Sequence, residues 1–269
     1  MKPFSASELA ERLAAAVDIA RGAGEMLVEG LGHAGQVRTK RSATDLLTEF
    51  DLKAEGYILD QLRGRFPGEA ILAEESGRQG EGDSLWVVDP LDGTTNFAHG
   101  IPFYCVSMAW VAGGQPRVGV IYAPALAELF TGVHGGPAKR NGETLQVSDR
   151  DDLDASLLVT GFPYDVRTRP DNNLDNYRRL ALRSRAVRRM GSAALDLAYV
   201  AAGRFDGYWE VETHPWDFAA GALLVECAGG RLTTLGGDRP LATHSTSVVA
   251  TNGLIHDQLL TALSSAEAS

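Results

Sequence analysis

Along the first part of the chain, apolar side chains return at every third or fourth position: Leu9, Leu13, Ala16, Val17, Ala20, Ala23 and Leu27. That spacing lines one face of an α-helix. Ser5 with Glu8 three places on has the form of a capping box, so a long first helix is predicted to begin there. Gly30 to Gly35 breaks it. A second helix is predicted from near Asp45, carrying Leu47, Phe50, Ala54, Ile58, Leu62 and Phe66 on one side until Pro67 stops it.

The pattern changes at Ile71. Ile71–Ala73, Leu85–Val88, Tyr104–Ala112, Arg117–Tyr122 and Glu128–Val133 are short apolar or alternating runs separated by Gly and Pro, which predicts a sheet-rich middle. After the charged stretch Asp149–Asp154, a strand at Ser156–Thr160 leads into alternating strands and helices. The helices are predicted at Asn173–Arg183, Ser192–Ala202, Trp216–Ala228 and Ile255–Leu263. No repeat, low-complexity segment or long linker separates independent domains. One compact unit over residues 1–269 is therefore expected, with an α+β half at 1–147 and an α/β half at 148–269.

The formal charge of -10 argues against a chain that grips nucleic acid or an anionic membrane, because both would repel it. No nucleic-acid partner and no membrane is expected. A small anionic substrate would need local positive charge, which bound metal ions supply when carboxylates cluster around them. The two cysteines, Cys105 and Cys227, sit in apolar surroundings and read as buried thiols, in keeping with a reducing cytoplasm. Met1 to Arg12 lacks an apolar signal core and no apolar run is long enough to cross a bilayer, so a cytoplasmic location is expected.

Acidic residues recur where apolar runs end. Leu85-Trp86-Val87-Val88 reads as a strand covered on both faces, and it delivers Asp89 at its carboxyl end, where α/β layers form their sites. Asp89-Pro90-Leu91-Asp92-Gly93-Thr94-Thr95-Asn96 follows. Pro90 restricts the backbone, Gly93 allows a close approach, and the amides of Gly93, Thr94 and Thr95 can open a helix toward a phosphate. Taken singly, Asp89 and Asp92 also read as turn formers. Upstream, Ile71–Ala73 ends in Glu74-Glu75. Downstream, Trp216-Asp217 opens an apolar stretch, where Asp217 alone also reads as a first-turn helix acid.

Four segments stand in order as signatures of one family: Asp45-Leu46-Leu47-Thr48-Glu49-Phe50-Asp51, Ala73-Glu74-Glu75-Ser76, Trp86 through Phe97, and Pro215-Trp216-Asp217-Phe218-Ala219-Ala220-Gly221. Over most of its length the chain resembles the inositol monophosphatase family, within a larger group of lithium-sensitive, metal-dependent phosphatases. Gly191 to Ala198 resembles the segment that lines the substrate pocket in bacterial members. The resemblance implies a layered αβαβα sandwich of the inositol monophosphatase and fructose-1,6-bisphosphatase type, α+β then α/β, with the metals between the halves and a homodimer as the common assembly.

It further implies that Glu74, Asp89 and the Leu91 carbonyl hold one Mg2+ and that Asp89, Asp92 and Asp217 hold a second, with a third, mostly hydrated ion near Glu74. Mn2+ would substitute and Li+ would inhibit. Mg2+ prefers such hard oxygen donors, so His99 and His214 beside the motifs are not expected as ligands. The implied reaction is phosphomonoester hydrolysis by direct attack of a metal-bound water, with inositol monophosphate as expected substrate. Thr94 and Glu74 would orient the water, and Asp51 would hydrogen-bond Thr94 and raise its capacity to take a proton. Without the surrounding signature, Asp51 would read as an exposed helix acid.

For substrate binding the resemblance implies Asp92, Gly93, Thr94 and Thr95 near the phosphate, with Gly191, Ser192 and Glu210 toward the polyol and Lys40 near the metal site. Ser192 also reads as a helix N-cap, Glu210 as a strand-end surface acid, and Lys40 with Arg41 as a solvated basic pair. Phe162 to Asn173, with Tyr164, Asp165, Arg167 and Arg169, follows bacterial members more than animal ones. Relatives on this scaffold act on histidinol phosphate or fructose bisphosphate with nearly the same ligands, so these substrates stay open, as does a regulatory protein-interaction dimer.

Overall fold

Ser5 and Glu8 do form a capping box: the Ser5 amide donates to the Glu8 carboxylate at 2.7 Å and the Glu8 amide donates to Ser5 Oγ at 3.2 Å. They open helix α1 (Ala6–Gly30), whose buried side includes Ala16, Ile19, Ala20, Ala23 and Leu27. The computed structural model describes residues 4–32, 38–39 and 46–264. The short strands β1 (Arg38–Thr39) and β2 (Leu46–Leu47) pair antiparallel. Leu46 and Leu47 therefore belong to a strand, not to the second helix, and the predicted start at Asp45 lies outside the described residues. Helix α2 (Glu49–Arg65) begins after Thr48, because Thr48 and Asp51 make a second capping box there.

The middle of the chain forms an eight-stranded sheet. Its strands are β3 (Ala70–Ala73), β4 (Gly77–Gln79), β5 (Ser84–Asp92), β6 (Cys105–Ala112), β7 (Gln115–Ala123), β8 (Glu128–Val133), β9 (Lys139–Arg140) and β10 (Glu143–Thr144), with the short helix α3 (Thr94–Ala98) between β5 and β6. The spatial order is β10-β9-β8-β7-β6-β5-β3-β4, and only the β3–β5 pair is parallel. The second sheet contains β11 (Leu157–Thr160), β12 (Ala186–Arg188), β13 (Gly207–Thr213), β14 (Arg231–Thr233) and β15 (Thr246–Thr251), ordered β12-β11-β13-β15-β14. The helices of this part are α4 (Leu174–Ala181), α5 (Ala193–Ala201), α6 (Pro215–Cys227) and α7 (His256–Ser264), with ends one or two residues from their predicted places. Strands β4, β9, β10 and β12 are only two or three residues long, too short to leave an apolar run.

Strict alternation along the strands assigns each side chain to a layer. On β5, Trp86 and Val88 face α1 and α2, while Leu85 and Val87 face α5 and α6. On β13, Tyr208 faces α5 and α6, and Trp209 faces the outer cluster formed with α4 and α7 through Leu180, Ile255 and Leu259. The result is a five-layer αβαβα sandwich: α1 and α2, the large sheet, α5 and α6, the small sheet, then α4 and α7. Cys105 is a buried free thiol and Cys227 a partly buried one. Among the described residues, no helix is long and apolar enough to cross a membrane.

Strand β5 departs from expectation in a way that matters. It continues beyond Val88 through Asp89-Pro90-Leu91-Asp92 instead of ending there. Asp89 pairs with Ser107 and Asp92 with Cys105, three steps on β5 against two on β6, so the strand carries one extra residue. Pro90, which has no N–H for the ladder, is accommodated at such a bulge, and bulges re-aim neighbouring side chains.

In the outer layer, His256 is fully buried, with Nε2 3.0 Å from Thr233 Oγ1 and Nδ1 2.9 Å from Thr251 Oγ1. Burial pushes its pKa down to about 4, below the ordinary value near 6.5. Between those values the unfolded chain binds the extra proton, so this histidine's contribution is complete above pH ~6.5 and declines as pH falls toward ~4. Urea unfolding at stepped pH should show His256→Gln losing less stability over that window than the parent, by up to about 3 kcal/mol. Parallel curves for the two proteins would contradict a neutral buried imidazole.

Candidate active site

The bulged end of β5 sets Asp89 and Asp92 at the junction of several elements. Asp89 is buried, and its Oδ1 accepts the Leu91 amide at 3.0 Å across the Pro90 turn. Asp92 Oδ2 accepts both the Ser192 hydroxyl and the Ala194 amide at 2.7 Å, which ties the end of β5 to the start of α5. Ser192 also caps α5, accepting the Leu195 amide at 3.4 Å. The N-cap reading of Ser192 is thus borne out, and its hydroxyl also donates to Asp92.

From β3, Glu74 enters with its amide on the Val88 carbonyl at 3.2 Å. The next amide, that of Glu75, donates to the buried Glu55 of α2 at 2.9 Å. From the first turn of α6 comes Asp217, whose Oδ2 accepts the His214 amide at 2.6 Å in a third capping box. Asp217 is therefore a first-turn helix acid and a site neighbour at once. The His214 ring stacks on Trp216 and sits 2.7 Å from the Ser245 hydroxyl, so it supports the turn.

Asp51 is fully buried, which excludes its reading as an exposed helix acid. One carboxylate oxygen takes the Thr48 amide at 2.7 Å and the Thr48 hydroxyl at 2.5 Å. The other lies 3.0 Å from Thr94 Oγ1, and the Leu91 carbonyl is also 3.0 Å from that hydroxyl. Both neighbours accept, so the single Thr94 proton points toward them and the oxygen's lone pairs point elsewhere. Gly93 has φ +93°, a left-handed conformation, and a Cβ there would stand 3.0 Å from the Phe103 carbonyl and 3.3 Å from that of Gly191. The turn at Gly93 and the turn at Gly191 are therefore in contact. Thr95 is exposed at the start of α3.

Electrostatics bind the acids into one group. Asp89 is raised well above the usual carboxylate range, first by burial, then by the charges of Glu74, Asp92 and Asp217 and a hydrogen bond shared with Glu74. Asp217 is raised for similar reasons, burial first and then Asp92. Asp92 rises only to about 6, because burial is opposed by the Ser192 hydroxyl and the Ala194 amide. Glu210, on the inward face of β13, is pushed up to about 8 by burial and Asp92, with Tyr208 and Arg189 opposing. Its side chain lies on Gly161, where even a single Cβ would overlap it. Glu210 is partly accessible to water yet closely surrounded, unlike an acid on an open strand end.

Among the described residues, no three His, Cys, Asp or Glu side chains are already disposed around one point as a finished metal cage. The donor chemistry nevertheless suits a hard divalent cation. Four carboxylates lie within mutual repulsion; Asp89, Asp92 and Asp217 each have an oxygen anchored by a protein donor, and all carry charge that a cation would neutralise. Lys40 lies outside the described residues.

Sequence reasoning gave no individual site role to several neighbours. Asp196 of α5 is buried, makes no hydrogen bond through Oδ1, and is raised by burial, Glu210 and Asp92. Its signal was an acid in the otherwise apolar helix Ala193–Ala201. Cys105 Sγ lies 3.8 Å from Asp92 Oδ2, and Asn96 joins two turns through its amide; neither had a residue-type pattern to mark it.

The model of the inositol monophosphatase family matches residues 8–268. The chain belongs to this family. It is 45% identical over 262 residues to an inositol-1-monophosphatase of Synechocystis sp., covering 97% of this chain and 91% of the relative. It is 42% identical to the Nus factor SuhB of Pseudomonas aeruginosa, covering 92% and 94%. An inositol monophosphatase structure from Anabaena (Nostoc) sp. superposes with a TM-score of 0.86 at 46% identity, covering 95% of this chain and 96% of that one. A structure of an inositol monophosphatase and NADP phosphatase complexed with Mg2+ and phosphate gives a TM-score of 0.79 at 26% identity, covering 89% and 90%. As a family member, the chain is a phosphoric monoester hydrolase of a metal-dependent family.

Carboxylates with raised folded pKa values stabilise the fold while protonated and lose that contribution as pH rises through the folded values. In metal-free protein the melting temperature should therefore fall more steeply between pH ~5 and ~8 in the parent than in Asp89→Asn. Mg2+ should restore the parent and leave the variant unchanged. Equal pH slopes for the two proteins would contradict the mutual repulsion.

Proposed function

We propose that the protein is a Mg2+-dependent phosphomonoesterase that hydrolyses inositol monophosphate, or a similar small polyol phosphate, to the free polyol and inorganic phosphate. The observation that carries this reading is the buried Asp51–Thr94 pair, 3.0 Å apart, beside four mutually repelling carboxylates. Glu74, Asp89, Asp92, Asp217 and the Leu91 carbonyl would hold the two to three ions expected per subunit. Bound Mg2+ supplies charge stabilisation for the phosphoryl oxygens and the departing alkoxide, and lowers the pKa of water; Mn2+ substitutes and Li+ inhibits.

The chain's own groups supply positioning and proton handling. Gly93, Thr94 and Thr95 bound the phosphate at the opening of α3. Asp51 accepts the Thr94 proton, which leaves the threonine oxygen ready to accept a proton from the attacking water, and Glu74 orients that water. The water oxygen forms a bond to phosphorus as the ester P–O bond breaks, in line, and the departing alkoxide takes a proton from solvent water to leave as the polyol, with no enzyme-bound phosphate. Gly191 and Glu210 face the polyol, and Ser192 acts through Asp92. The expected setting is a cytoplasmic homodimer with Lys40 near the ions.

The test is phosphate release from inositol 1-phosphate, histidinol phosphate and fructose 1,6-bisphosphate with Mg2+. The highest kcat/KM is expected on inositol 1-phosphate, lowered by Li+. Asp89→Asn and Thr94→Ala should lower kcat by about two or more orders of magnitude. No release from any of the three would overturn the reading. A second, non-catalytic role is favoured by one observation, the 42% identity to a protein named Nus factor SuhB. Under it, a binding partner would be retained by Asp89→Asn as well as by the parent.

A further inference from the structure

Asn96 lies outside the acids and the Asp51–Thr94 pair, yet its side chain spans the two turns that meet at the site. Its Nδ2 donates both hydrogens at 2.8 Å, one to the Phe103 carbonyl and one to the Met190 carbonyl, 94 residues away. Both partners can only accept, so the amide orientation is forced. Met190 immediately precedes Gly191, which has φ +87° and where a Cβ would stand 3.1 Å from Asn96 Nδ2. On the other side of the same joint, Gly93 approaches the Gly191 and Phe103 carbonyls. The two turns thus meet backbone to backbone, with the Asn96 amide as the fastener.

We infer that Asn96 is a positioning residue that locks the polyol-side turn Met190–Ala193 to the phosphate-side turn Gly93–Asn96 and thereby sets the enzyme's preference for a ring polyol over a simple phosphate ester. The inference rests on the phosphatase reading above. A phosphate ester is held at one end by the phosphate-side turn and at the other by groups that follow Met190, so the span between the ends is only as well defined as the joint between the turns. Asp92 holds the same two segments through Ser192 and Ala194, but those bonds begin two residues beyond Met190. Among the described side chains, Asn96 donates to the Met190 carbonyl at 2.8 Å and so ties down the residue that immediately precedes Gly191.

A small ester such as phenyl phosphate engages only the phosphate end and is indifferent to the joint. Asn96→Ala should therefore raise KM for inositol 1-phosphate and lower its kcat/KM by about tenfold or more, while kcat/KM for phenyl phosphate changes by less than about threefold. Asn96→Asp, equal in size but with acceptors in place of both donors, should show the same loss of selectivity. Melting curves establish that each Asn96 variant is folded. If either Asn96 variant is folded and lowers both substrates equally, or neither, the inference is overturned. If parent protein hydrolyses neither substrate, it is the phosphatase reading that fails instead.

Discussion

Burying like charges together is among the most costly things a fold does, and this one buries Asp89 beside Glu74, Asp92 and Asp217. Two remedies exist: the acids hold protons, or a cation joins them. Protein hydrogen bonds only partly compensate. Asp92, with a hydroxyl and an amide on one oxygen, is the least perturbed of the three aspartates, while Asp89, with a single amide, remains far from its ordinary range. A site tuned only for stability would not retain this arrangement. One tuned to capture a doubly charged ion and present it to an anionic ester would.

The scaffold aims the acids with helix beginnings and strand ends. Asp51 and Asp217 are each the third residue of a helix and close capping boxes with Thr48 and His214. Gly93 precedes α3, and Ser192 caps α5 while holding Asp92. The N-terminal amides of α2, α5 and α6 thus hold Asp51, Asp92 and Asp217, and the partial positive charge there lessens the repulsion by modest amounts. Strand β5 contributes through its bulge, where Pro90 halts the ladder and one extra residue sets the spacing of Asp89 and Asp92. The residues that terminate regular structure are the same ones that face the proposed substrate.

Much of this was legible before any coordinates. The periods of 3.6 and 2 in the apolar pattern located α1 and α4 to α7 and the main strands of the large sheet, because each buries a whole face or stripe. The run from Trp86 to Phe97 marked in advance the turn where Asp89, Asp92 and Thr94 come together, since carboxylates, a proline and a glycine follow one another there. What escaped was long-range. Leu46–Leu47 joined a strand because pairing with Arg38–Thr39, not local propensity, decided its state. Asp196, Gly161 and Asn96 matter through Glu210, Glu210 and Met190, which lie 14, 49 and 94 residues away. Asp51 could be judged only once its burial was known.

The central claim is that a divalent cation replaces protons among these carboxylates. Calorimetric titration of metal-free protein with Mg2+ at a pH near 6, repeated in buffers of different ionisation enthalpy, measures the protons released on binding. The account predicts saturable binding with net proton release that diminishes at higher pH and is absent in Asp89→Asn. Binding with no buffer-dependent heat, or no binding at all by a folded protein, would contradict it.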